Sequence, residues 1–265
     1  MKNFTLGQYL PLDSKIHRLD PRVKIIAMLV LMISVFLSDF KGYVLLGVFL
    51  VSAVLLAKLT FRFIIKSMKP MLFMLVFLFL INAFVLRSGY VIFSVWKFSL
   101  YSDAVIQTAF IVGRLVFMIM ITTLLTATTA PLDLTLGIED LLAPFERFGV
   151  PSHVIAMMIS IVLRFIPTLI EDTQRIMQAQ ASRGVDLDEG SIKEKITGII
   201  SMILPLFVSA FQRAEDLADA MEARGYYPGK TRSRYKQLKI RFTDIFILLV
   251  CLSIGVGVVA IKVYL

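Results

Sequence analysis

Two stretches of this sequence end alike, Ala181-Ser182-Arg183-Gly184 and Glu222-Ala223-Arg224-Gly225, with their arginines 41 residues apart. The guanidinium is a planar, permanently charged fork that grips carboxylates through paired N–H donors. Glycine just past a last helical turn takes the left-handed conformation that caps a helix. Arginine in that turn suits the negative end of the helix dipole. A cap alone explains either ending by itself. Two matched charged tips on consecutive helices point further, to a pair of directed contacts with acidic grooves on a partner. The chemistry on offer is recognition by charge.

Residues that would support catalysis do not assemble. Gly225-Tyr226-Tyr227-Pro228-Gly229-Lys230-Thr231 imitates a phosphate-binding loop, but three residues separate its glycines where the motif needs four. It follows a helix instead of a strand, and Pro228 lacks an N–H that a phosphate cradle would use. This segment is therefore not read as a nucleotide site. His17 and His153 have no second His, Cys or acidic partner at ligand spacing, so both read as interfacial polar residues and not as metal ligands. The single cysteine, Cys251, lies in an apolar run, which excludes a disulfide framework or a thiolate metal site. Without a nucleophile elbow or a His-Glu-x-x-His pair, no enzyme activity, cofactor or metal is expected.

The elements that carry the tips follow from an apolar composition. Of 265 residues 58% are hydrophobic and only 18% charged, where soluble domains carry about a quarter. The net charge of +9 belongs, in so apolar a chain, to cytoplasmic loops and anionic lipid, and no nucleic-acid partner is expected. Five windows lack charge: Ile25–Ser38, Gly42–Ala57, Pro70–Leu86, Leu115–Leu132 and Ile245–Ile261. Each is short against the roughly 20 residues that cross a bilayer, so flanking Lys and Arg are expected to snorkel. The fourth window extends back through Ala104 if Arg114 is tolerated. That arginine is costly unless paired or within reach of water, and is read as structural. Ser38-Asp39-Phe40-Lys41 offers no cleavage site, so the first window is a retained span and not a signal peptide.

Loop charge sets the orientation. Lys2, Lys15, Arg18, Arg22 and Lys24 precede the first span, and Lys58, Arg62, Lys66 and Lys69 fill the second loop, against Lys41 in the first and Arg87 and Lys97 in the third. The alternation places the N-terminus in the cytoplasm. Residues 1–130 form a membrane domain of four spans, 226–241 a basic cytoplasmic linker, and 242–265 the final span.

Residues 131–225 behave differently. Pro131 and Asp133 open a short amphipathic piece, Leu134–Phe148, closed by Gly149. A helix from Pro151-Ser152 to Gly184 carries a polar stripe of Arg164, Thr168, Glu171, Asp172, Arg175, Gln178 and Ser182. After a turn over Asp186–Ser191, a second helix, Ile192–Arg224, bears Arg213, Asp216, Asp219 and Glu222 near its end. Ala130 and Tyr226 are both cytoplasmic by charge, so this pair makes no net crossing and lies in the interface, bending at Pro167 and Pro205. A transmembrane hairpin is the alternative. Ala210, Ala214 and Ala218 open one face to close helix approach. The Met and Phe of Pro70–Leu86 and Ile155–Ile166 serve lipid contact and core packing, or a soft partner surface in the second window.

The chain resembles the transmembrane T components of energy-coupling factor (ECF) transporters. The resemblance rests on Leu19-Asp20-Pro21-Arg22-Val23-Lys24, Arg164-Phe165-Ile166-Pro167, Ala179–Gly184 and Asp219–Tyr226, and most specifically on the paired X-Arg-Gly motifs. It implies an all-α polytopic protein of a prokaryotic inner membrane, with about five transmembrane helices and two long amphipathic cytoplasmic coupling helices. It implies two ATP-binding-cassette ATPase subunits docked on Ser182, Arg183 and Gly184 and on Ala223, Arg224 and Gly225. A substrate-binding S component is implied against the membrane side of those helices. The function implied is a non-catalytic coupling subunit of an importer for vitamins or other micronutrients. The alternative is a self-sufficient secondary carrier, which calls for inverted repeats or intramembrane carboxylates that are not evident here.

Overall fold

The computed structural model describes residues 9–85, 88–95, 98–149, 151–184, 191–227 and 238–264. It is all-α in class and divides into two compact units, one of Met1–Gly137 with Leu238–Leu265, the other of Ile138–Gln237.

The first unit contains α1 (Pro21–Leu37), α2 (Phe40–Leu56), α3 (Phe61–Met68), α4 (Leu72–Val85), α5 (Ser102–Thr128) and α9 (Phe242–Tyr264). The third apolar helix starts at Phe61, earlier than the charge-free window suggested. Arg62 and Lys66 stand one turn apart on α3, so the helix runs past both cations before it tightens at Lys69. Pro70 falls in a 3-10 turn, Lys69–Met71, between α3 and α4. Within this all-α class the third loop holds a small hairpin that the sequence reading did not name: β1 (Val91–Val95) and β2 (Phe98–Tyr101) pair antiparallel, Val91 opposite Tyr101 and Val95 opposite Phe98. Ser102 closes the base of this small hairpin, donating its N–H to the Tyr90 carbonyl (2.8 Å) and accepting the Tyr90 N–H (3.0 Å). A search for charge-free windows has no means of finding two short β-branched and aromatic runs. Arg87 and Lys97 lie outside the described residues.

The core of this unit joins α1, α2, α5 and α9 through Val35, Leu46, Leu50, Ile121, Cys251 and Val258. α9 approaches α1 closely at Gly255, where an added Cβ would lie 2.9 Å from Ser34 Oγ. Small residues let helices pack in this way in an apolar medium. The two helices also provide a ruler. Asp244 of α9 accepts the Asp20 N–H at one end, and Lys262 stands 3.8 Å from Asp39 at the other. The 18 residues between Asp244 and Lys262 rise about 27 Å, close to the ~30 Å of a hydrocarbon core. Outward-facing side chains on α4 are apolar and exposed, Phe73, Phe77 and Phe84 among them, as a lipid-facing surface requires.

Arg114 lies within α5, its guanidinium 5.2 Å from the Phe36 ring, beside the last turn of α1. Its Nε is buried without a hydrogen-bond partner among the described residues. The aromatic face supplies the compensation that an acid would otherwise give.

The Leu19–Lys24 segment is a clasp at the other end. Asp20 caps α1 by accepting the Arg22 N–H (2.9 Å) and grips the Arg22 guanidinium with both oxygens (3.1 and 2.9 Å). Burial pushes the Asp20 carboxyl up, but the Arg22 hydrogen bonds outweigh it and hold the group below the usual range. The Lys24 ammonium donates to the Thr128 carbonyl (2.9 Å), Thr129 Oγ1 (3.1 Å) and the His17 carbonyl (3.3 Å). Thr128 ends α5, so the cation meets an orphan carbonyl at the negative end of a helix. Asp244, 1% exposed, accepts the Arg241 N–H (2.6 Å) as well as that of Asp20 (3.1 Å). His17 is a satisfied structural histidine: Nε2 lies 3.0 Å from the Leu10 carbonyl and Nδ1 2.7 Å from Ser14 Oγ. Burial pushes its pKa down, and the neutral ring with its proton on Nε2 fits both contacts.

The second unit holds the end of α6 (Pro131–Leu142), a 3-10 segment Ala143–Phe148, α7 (Ser152–Ser182) and α8 (Ile192–Ala223). α6 begins at Pro131, ahead of the expected Leu134, because proline is pre-organised for a first helical position. Gly149 follows with φ +86. His153 does have an acidic partner, contrary to expectation: its Nδ1 lies 2.9 Å from Oε1 of the buried Glu139. The connection between α6 and α7 brings together residues whose separation resembles no ligand spacing. No group of three metal-binding side chains occurs among the described residues. Residues 186–190, the cations Lys230, Arg232, Arg234 and Lys236, and Pro228–Thr231 of the phosphate-loop imitation lie outside the described residues.

Among the described residues five helices are long and apolar enough to cross a membrane: Phe61–Val85, Ser102–Thr128, His153–Ser182, Lys195–Ala223 and Phe242–Tyr264. α7 and α8 therefore meet that criterion, whereas α1 and α2 have 17 residues each.

Candidate functional site: a helix pair with two arginine tips

α7 has 31 residues and α8 has 32, each about 47 Å long at 1.5 Å per residue. Both run unbroken across their prolines, Pro167 and Pro205. Two side-chain contacts fix their relative direction. Arg213 Nη2 donates to Asp172 Oδ2 at 2.6 Å, and Gln180 Nε2 donates to the Ser201 carbonyl at 3.3 Å. Advancing along α7 retreats along α8, so the pair is antiparallel. The second contact has a backbone cause: Pro205 has no N–H to bond the carbonyl four residues earlier. That carbonyl belongs to Ser201, and Gln180 fills the vacancy.

Arg183 is the C-cap of α7 and Gly184 follows at φ +84. The Gly184 N–H donates to the Ala181 carbonyl (3.0 Å). α8 ends likewise: the Gly225 N–H donates to Glu222 (2.8 Å) and the Tyr226 N–H to Met221 (2.9 Å), with Gly225 at φ +73. These two bonds form the Schellman arrangement. Among the described residues no atom lies within 4 Å of a Cβ built at either glycine, and the positive φ is what requires them. A Gly184→Ala or Gly225→Ala substitution is accordingly expected to cost about 1–2 kcal/mol, measured as loss of thermal stability in detergent. An unchanged transition would mean that the caps do not hold these geometries.

Ser182 and Ala223 are the last residues of their helices, and both arginines are exposed. The Ser182 hydroxyl turns back to the Gln178 carbonyl (3.0 Å), leaving the guanidinium as the outward group at that tip. The antiparallel packing places Arg183 and Arg224 at opposite ends of the pair. The six motif residues thus form two separate tips, not one cluster. Between them a groove of about 330 Å³ is lined by Phe165, Leu169, Ala210, Ala214, Leu217 and Met221, among others. Ala210, Ala214 and Ala218 all line it, so the small-residue face opens a cleft between the helices.

Sequence reasoning named Asp172 and Arg213 only as members of polar stripes. Their pairing and the Gln180–Ser201 contact were missed, although the 41-residue offset between the tips separates Asp172 from Arg213 as well.

Comparison with known proteins agrees with this architecture. A family model described as cobalt transport protein (CbiQ) matches residues 13–235. The energy-coupling factor transporter transmembrane protein EcfT of Clostridium kluyveri is 44% identical, over 96% of this chain and 97% of the relative. EcfT of Bacillus subtilis is 45% identical over 90% of each chain, and that of Lactococcus lactis subsp. cremoris 42% over 92% of each. With a family-model match over most of its length and identities well above 30% across nearly whole chains, this all-α membrane protein belongs to the family of energy-coupling factor transporter transmembrane components.

Proposed function

We propose that the chain is a non-catalytic coupling subunit, with α7 and α8 on the cytoplasmic side of a prokaryotic cell membrane. Arg183 and Arg224, with Ser182 and Gly184 and with Ala223 and Gly225 beside them, each dock into an acidic groove of one of two ATP-binding-cassette subunits. An S component that carries the substrate, a vitamin or other micronutrient, packs on the membrane side of the same helices. The carrying observation is the pair of exposed, glycine-capped arginine tips at opposite ends of one antiparallel helix pair. Ends placed in this way suit two partners that approach and part during ATP turnover. Extraction in mild detergent tests the reading. Two ATPase chains and an S component should co-purify, and purification of the chain alone in an intact fold argues against it.

Placement on the cytoplasmic side gives a separate expected result. Single cysteines at Ser191 and Tyr227, in a Cys251→Ser background, should be protected from an impermeant thiol reagent in intact cells and react after permeabilisation. Labelling at Ser191 from outside would make α7 and α8 a spanning hairpin.

A further inference from the structure

The 41-residue offset between the tips recurs at other positions of the helix pair. Ser160, Leu163, Ala179, Arg183 and Gly184 recur as Ser201, Leu204, Ala220, Arg224 and Gly225. Asp172 and Arg213 stand at the same offset, so their ion pair joins two equivalent positions. In an antiparallel pair of similar helices, equivalent positions meet where an approximate two-fold axis relating the helices passes between them. The pair is therefore pseudo-symmetric about this contact. Arg183 lies 11 residues beyond Asp172, and Arg224 lies 11 residues beyond Arg213. Each arm is about 16 Å long, which keeps the tips at most about 35 Å apart once the helix separation is included.

We infer that Asp172 and Arg213 are the positioning pair of the two tips: their ion pair on this pseudo-two-fold axis fixes the crossing of α7 and α8 and hence the separation of Arg183 and Arg224. The pair is suited to the task. Its side chains are 21% and 28% exposed, enough shelter to resist screening, and the Arg213 guanidinium also sits 5.8 Å from the Phe165 ring. Arg213 Nη1 is buried with no hydrogen-bond partner among the described residues, so Asp172 Oδ2 is the acceptor that holds this guanidinium. Around the axis the symmetry is broken in polarity. Gln180 bonds the Ser201 carbonyl on one side. The equivalent of Gln180 is Met221, which lines the apolar groove with Ile161 and Val162. Hydrogen bonding thus reinforces one arm and apolar contact the other, leaving the central ion pair as the polar link common to both. Weakening it lets the arms scissor without detaching either tip.

This inference rests on the docking reading, and the experiment separates the two. Spin labels at Ala181→Cys and Glu222→Cys, both exposed and nine residues from the axis, report the tip separation in a Cys251→Ser background. The chain is reconstituted with its ATPases and S component, and uptake per ATP hydrolysed is followed in parallel. The unaltered pair should give one narrow distance distribution. Asp172→Asn and Arg213→Asp should broaden it and lower uptake per ATP by about tenfold while both ATPases stay bound. The exchanged pair, Asp172→Arg with Arg213→Asp, should restore both readouts to within about twofold. A narrow distribution and full coupling in Asp172→Asn overturn the inference, as does an exchanged pair that folds yet behaves like the single variants. Failure of the unaltered chain to bind ATPases would instead overturn the docking reading and leave the distance measurement to judge the ion pair.

Discussion

The Arg183→Ala, Arg224→Ala double variant is expected to lose both ATPase chains on purification while its membrane helices remain folded. Truncating one partner of a desolvated charge pair costs about 2–5 kcal/mol, or roughly 30- to 5,000-fold in affinity for each tip. With both tips docked on one assembly, as proposed, either single variant should retain partial association through the other, and the double variant should lose the advantage of two-point attachment. Within the chain the cost should be small. Both arginines are exposed, and neither is ion-paired among the described residues. Lysine at both positions should recover only part of the binding, because an ammonium lacks the planar two-donor fork. Quantitative co-purification gives the result. Wild-type amounts of both ATPases on the double variant would remove the docking role.

A second large effect is expected at Asp244, far in sequence from the motifs that first suggested a function. Its carboxylate accepts the Asp20 and Arg241 N–H groups and is almost fully buried. Asp244→Ala leaves two amides without acceptors and removes an acid from the neighbourhood of Lys24. An unsatisfied buried donor costs about 1–3 kcal/mol, so a loss on the order of 2–5 kcal/mol is expected, read as a lower unfolding temperature in detergent. Asp244→Asn, which keeps one acceptor oxygen, should lose less. If alanine leaves the transition unchanged, the clasp joining the starts of α1 and α9 to the end of α5 contributes nothing to the fold.

Much of this molecule was legible from charge and periodicity. The apolar windows correspond to α1, α2, α4, α5 and α9, and the glycine endings lie at the caps of α7 and α8. What stayed hidden required knowing which residues meet. The Lys24 contact with Thr128 joins residues 104 apart, and Asp20 and Asp244 are 224 apart. No local pattern encodes such distances. His153 and Glu139 met for the same reason. The β1–β2 hairpin was missed because a reading tuned to apolar windows and helical steps passes over strands of four and five residues. Pro205 was read as a bend. Within the helix its clearest consequence is chemical: a freed Ser201 carbonyl that Gln180 uses to tie the two helices together.

A coupling subunit transmits work without performing chemistry or carrying substrate itself, and substrate uptake and ATP hydrolysis measured together in liposomes, with every component added or omitted in turn, decide whether this chain is one. ATP-driven uptake should require this chain, both ATPases and the S component at once. It should vanish in the Arg183→Ala, Arg224→Ala background while any hydrolysis by the ATPases alone persists. Substrate accumulation in vesicles that hold this chain alone, driven by an imposed ion gradient, would contradict the account and establish a secondary carrier in its place.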